Sequence, residues 1–367
     1  VSKRKQIAAG ICLLLLAAAG YGVYSWRTAP QNPRQEILKL LPTDATAVMY
    51  IDFARLRNEP FVKELYAWAP QPEEDADYEK FVGGTGFRYE SDLDRVGIAM
   101  TGEGEARRFF AIADGRFDQR KIEDYALRGG RKERQSGKDV YYVPAGGGNS
   151  IISFFFLTKD RIALTNEGSA EEKLEAARKS ERRGDWNERF ERLAGAPMFV
   201  LIRQEGSTGQ VLAEQAPAGL RSPQLATLLT QLQWISIAGK PAGERLQIVS
   251  EGETASEETV RQLSEFLQGA LLLAETGLSD PKVGKQVGED AQKAYLDLLK
   301  SAEIEKVDRG ETKSVRMVLD VTPSLLKLAR SSPADKPEPA AKPQTTSKNV
   351  PSKGAGTPNS EKPAGPK

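Results

Sequence analysis

The order of elements in the first half of this chain recurs in the second, and that recurrence limits the folds open to it more than any other feature. Residues 47–52 (AVMYID) are rich in β-formers and read as a strand. Residues 198–202 (MFVLI) answer 48–52 at an offset of 150. Residues 235–239 (ISIAG) answer 96–100 at 139, and 246–250 answer the strand beginning at Arg108 at 138. At that same offset Ile122 and Tyr125, on the apolar face of a helix capped by Asp118, fall on Val260 and Leu263. Each half therefore runs strand, helix, strand, strand, helix.

The offsets also locate the differences. Eleven extra residues lie between the first two strands of the first half, where an acidic helix begins near Glu73 and ends at Gly83-Gly84. The hairpin signals at 135–138 (QSGK) and 308–311 (DRGE) are 173 apart, so the second half gains 35 residues, matching a helix near 287–299. After its hairpin the first half adds 151–157 (IISFFFL), a run too apolar for either face to meet water and hence a strand inside a sheet. Thr254 and Glu257 have capping-box spacing at the head of the helix through Val260, Leu263, Phe266 and Leu267. The expected fold class is α+β: two related, mainly antiparallel sheets, one in 45–195 and one in 196–330, each covered by helices on one face.

Ahead of this body, Lys3, Arg4 and Lys5 form a basic stub within residues 1–6. Residues 7–26 follow without a charge and close on Tyr21, Tyr24 and Trp26, with Arg27 beyond. As a helix, 20 residues span about 30 Å, the thickness of a bilayer's hydrocarbon core. Basic residues before the span stay cytoplasmic and aromatic residues suit the far interface, which puts the body outside the cytoplasm. Ala17-Ala18-Ala19 also offers a cleavage site for a secretory signal. The apolar character continues past Ala19 into the aromatic residues, which favours a retained anchor. Cys12 reads as one more apolar residue of the span, and 27–44 as a juxtamembrane linker. The expected location is the cell inner membrane, single-pass, with the bulk of the chain periplasmic. From 331 onward eight prolines and six lysines accompany one large apolar residue, Val350, which reads as a disordered tail.

Charge and composition then narrow the chemistry. Net charge is +1, but the first 27 residues carry +4 and the last 37 carry +3, leaving −6 on residues 28–330. A mildly acidic body lacks the basic face that nucleic acid requires, so no nucleic-acid partner is expected. With no histidine and one cysteine among 367 residues, imidazole-dependent triads, histidine metal ligands and disulfides are ruled out. No cofactor or metal is expected.

Motif candidates fare poorly. Ser324 and Lys327 have the S-x-x-K spacing, without the S-D-N or K-T-G partners of the enzymes that use it. Asp75, Asp77 and Glu79 alternate like calcium ligands, but Lys80 replaces the required glycine. Gly83-Gly84-Thr85-Gly86 and 146–148 (GGG) read as turns rather than phosphate cradles. A glycosidase needs only two carboxylates, and Asp92 with Asp94 is such a pair. It also needs aromatic platforms, for which Trp186, in the charged stretch 182–192, is the tryptophan expected to be exposed. The leading reading is a non-enzymatic, membrane-anchored binding or scaffolding module of a bacterial envelope, whose partner is another envelope protein or the wall. The alternatives are a carboxylate hydrolase acting on envelope glycans, and a lipid or peptide carrier that holds its ligand between the two halves.

Overall fold

Strands form where β-branched and aromatic residues cluster, and helices where apolar residues return every third or fourth position. The computed structural model describes residues 32–68, 76–102, 107–144, 150–179, 184–206, 208–215, 222–325 and 328. The segment with Lys3, Arg4, Lys5, Tyr21, Tyr24, Trp26 and Arg27, the glycines at 146–148, and the tail lie outside these residues. All described residues belong to one unit ending at Arg330; residues 331–367 form a second unit. Among the described residues no helix is long and apolar enough to cross a membrane.

In chain order the first half contains α1 (Pro33–Lys39), β1 (Ala47–Asp52), α2 (Phe53–Leu56), α3 (Pro60–Trp68), α4 (Ala76–Thr85), α5 (Tyr89–Asp92), β2 (Leu93–Thr101), β3 (Arg108–Gly115) and α6 (Gln119–Gly129). It continues with β4 (Arg131–Gln135), β5 (Lys138–Pro144), β6 (Ile151–Thr158), β7 (Arg161–Thr165), α7 (Ala170–Lys179) and α8 (Gly184–Arg192). The second half contains β8 (Met198–Arg203), α9 (Thr208–Gln215), α10 (Pro223–Thr230), β9 (Trp234–Ala242), β10 (Arg245–Thr254), α11 (Glu257–Leu278), α12 (Pro281–Val287), α13 (Glu289–Lys300), β11 (Glu303–Asp308) and β12 (Lys313–Val321).

The two sheets expected from the sequence are one. Among the described residues twelve strands run in the order β11-β12-β10-β9-β8-β1-β2-β3-β7-β6-β5-β4, and every pairing is antiparallel. The join is β1 against β8, from Ala47 opposite Ile202 to Ile51 opposite Met198. Kept apart, the halves would each end in an apolar strand with unpaired N–H and C=O groups; pairing them removes both edges.

Helices also cover both faces, not one. On one face α1, α7 and α8 press Ile37, Leu38, Leu174, Trp186 and Phe190 onto Tyr50, Ile112, Phe155, Phe199 and Leu201. On the other, α6 covers the first half with Ile122 and Ala126 against Tyr141, Phe154 and Ile162. There α10 and α11 cover the second half with Leu225, Leu228, Val260 and Leu263 against Ile235 and Val315. The run 151–157 is an interior strand, β6, with Phe155 buried on the first face and Phe154 on the second.

Residues 27–44 were expected to be a linker, yet Ile37, Leu38 and Leu41 of that stretch are buried in the first core. Gly97 of β2 makes the contact possible, because a Cβ there would lie 2.5 Å from Ile37 Cγ2. Gly83-Gly84-Thr85 is likewise no turn but the last turn of α4. There Gly84 lets α4 meet α6: a Cβ would lie 2.4 Å from the Tyr125 ring.

Candidate functional site

The long helix α11 is only half supported. Ser256 caps it by accepting a hydrogen bond from the Thr259 N–H at 3.1 Å. Thr254, the expected cap, stays in β10 opposite Lys313 and accepts from the Ser256 N–H instead. The fully buried positions of α11 are Thr259, Val260, Leu263 and Ser264, all in its first two turns. Beyond them the apolar residues continue through Leu271, Leu272 and Leu273, more than one face of a helix can turn to a core. Leu272 is 65% exposed and Leu273 74%.

Beneath that second half lies a groove of about 970 Å³, at the upper end of the roughly 300–1,000 Å³ of small-molecule sites. One wall is α11, through Phe266, Ala270, Leu273 and Ala274 at helical spacing. Leu298 and Leu299 of α13 form the second wall. The floor is Ile304 of β11 with Met317 and Leu319 of β12, whose alternate side chains share one face of the sheet. Polar groups gather at Ser222, Gln224, Gln262 and Glu265. Arg261 organises this rim by donating to Glu258 and, at 2.9 Å, to Glu265. Hydrogen bonds from Arg261 and Gln262 hold the Glu258 carboxyl down at about 2. The groove belongs wholly to residues 222–319, so it is not the site between two halves that a carrier was expected to have.

The residues singled out in the sequence do not converge on chemistry. Asp92 accepts the Arg88 N–H at 2.9 Å and pairs with Arg116, while Asp94 pairs with Arg57 at 3.5 Å. Asp77 and Glu79 sit in helix α4, where a calcium loop has no place, and Asp77 pairs with Lys80 at 3.0 Å. Asp75 and Lys327 lie outside the described residues; Ser324 stands in a helical turn after Thr322. Trp186, expected to be exposed, is 3% exposed. Its Nε1 donates to the Thr43 carbonyl at 3.1 Å, and its ring meets Trp234 edge-on at 4.8 Å. Among the described residues no group of three or more acids or cysteines is placed to hold a metal ion.

No family model and no curated protein matches the chain. Solved structures of TP0453 in crystal forms IV, III and I are similar to it, at 11%, 11% and 12% identity and TM-scores of 0.42, 0.40 and 0.42. Each likeness covers 80% of this chain and, respectively, 95%, 96% and 96% of the other. It is a distant likeness between folds.

Proposed function

We propose that the chain is a non-catalytic binding module of a bacterial envelope, held at the inner membrane by residues 7–26 with its body on the periplasmic side, and that the groove under α11 takes an acyl chain. The groove itself carries the reading: a mainly aliphatic concavity of about 970 Å³ with a few polar side chains in its lining. A peptide would bring N–H and C=O groups that need partners, which an aliphatic lining does not offer. A methylene chain brings none, and the membrane at which residues 7–26 would hold the body is a source of such chains.

An internal duplication is part of the same proposal. Its support is the order in which strands leave the central pair: β1-β2-β3 one way and β8-β9-β10 the other, each ending in a hairpin, β5-β4 and β12-β11. Strands β6 and β7 are then an insertion in one half, and α12 with α13 an insertion in the other, where the groove is built.

Displacement of a fluorescent fatty acid from the full chain, kept soluble in amphipol, tests the groove. At about 0.8 kcal/mol per buried methylene, affinity should rise about fourfold per added carbon from octyl to tetradecyl chains. Ala270→Trp, which fills the groove from α11, should remove that rise. Binding that ignores chain length, or that survives Ala270→Trp unchanged, contradicts the proposal.

A further inference from the structure

The other face of the same strands carries a second cavity, of opposite character. Side chains alternate across a sheet, so where Met317 and Leu319 of β12 floor the groove, Arg316 points the other way, beside Glu251 of β10 in register. Lys240 of β9 lines the same cavity, and α8 borders it with Arg189 and Arg192. Its volume is about 110 Å³, well above the roughly 10–15 Å³ that a single water needs on the same measure.

Five cations and two carboxylates line this space, an excess of three positive charges: Arg189, Arg192, Lys240, Arg309 and Arg316 against Glu251 and Glu253. Three of the cations are paired. Glu253, 3% exposed, takes Arg189 at 2.8 Å and Arg192 at 2.9 Å, while Glu251 takes Arg309 and the Ser314 hydroxyl. The side chains of Lys240 and Arg316 have no ion pair or hydrogen bond among the described residues, although Glu251 and Glu305 flank Arg316 in register. The Nε of Arg316 is buried and unpartnered. So is the Nε of Arg189, a side chain only 7% exposed. A buried guanidinium N–H without an acceptor is costly, and an entering anion offers the missing acceptor.

We infer that this cavity binds a phosphate group, held by the Lys240 ammonium and the Arg316 guanidinium with Arg189 Nε as a further donor. The excess charge suits a dianion better than a single carboxylate, and the volume admits the group without a bulky substituent. The site stands on the opposite face from the groove and does not depend on it.

Isothermal titration of the full chain in amphipol with inorganic phosphate, at constant ionic strength, is the test. Saturable binding is expected, weakened about tenfold or more in the Lys240→Gln, Arg316→Gln double variant and unchanged in Lys159→Gln, an exposed cation between β6 and β7. Because neither cation has a protein partner, the double variant should keep its unfolding midpoint without phosphate; if it does not fold, Lys240→Gln alone serves. Competition by water-soluble dihexanoyl phosphatidic acid, whose terminal phosphomonoester can carry two charges, would assign the phosphate to a lipid headgroup, and its failure to compete would assign it to a soluble phosphate compound. No saturable binding, equal binding by the double variant, or acetate binding as tightly as phosphate would overturn the inference.

Discussion

Tyr50 shows how much one residue can hold at the centre of this sheet. Its ring stacks on Phe199 across the β1–β8 join at 5.6 Å, under the Arg34 guanidinium. Its hydroxyl is buried without a hydrogen-bond partner, and burial, then Asp52, pushes the phenol well above its ordinary range. Tyr50→Phe deletes only the orphaned oxygen, so it should stabilise the protein by about 1 kcal/mol in urea unfolding; a loss of that size would mean the hydroxyl is hydrogen-bonded after all. The same neighbourhood explains the misreading of Trp186. In 182–192 the four arginines and three acids dominate the composition, while the stripe Trp186, Phe190 and Leu193 at helical spacing is the signal that places α8 over the core. Arg189 was lost for the same reason: its guanidinium stacks on Trp234 at 4.2 Å and pairs with Glu253, whose charge lies 64 residues away in sequence.

At the scale of elements, local chemistry was legible and pairing was not. The β-former runs at 47–52, 151–157 and 198–202 became strands, and Asp118 caps α6 by accepting the Lys121 N–H at 3.2 Å. Thr254 and Ser256 show the limit. Both are capping residues two apart, and the choice between them is made by strand β12, which holds Thr254 in the ladder. The β1–β8 join has no local signature, because strand edges are chosen by what else is available to pair. Its register can be tested with Cys12 replaced by alanine. Opposed residues lie about 4.5–5.5 Å apart between Cα atoms, within disulfide range. Cysteines at Met49 and Val200, which are opposed, should therefore cross-link on oxidation. Cysteines at Met49 and Met198, a diagonal pair about 7–8 Å apart, should not; cross-linking of the diagonal pair instead would shift the join by two residues.

Across the described residues, one sheet with a shared core on one face and two separate cores on the other leaves an opening between α11, α13 and the β11–β12 hairpin. The groove was partly written in the sequence: Leu271, Leu272 and Leu273 cannot all face one core, so some apolar surface had to remain outside it. What the sequence withheld was the rest of the wall, since Leu298 and Met317 come from elements joined to α11 only by the fold. The most direct test is photo-crosslinking in cells that express the full chain and are fed a diazirine-bearing fatty acid, followed by peptide mapping. The account predicts adducts on peptides containing 266–274 and on those containing 298–304 or 317–319, lost in Ala270→Trp. Adducts confined to 7–26, or spread evenly over the body, would contradict it.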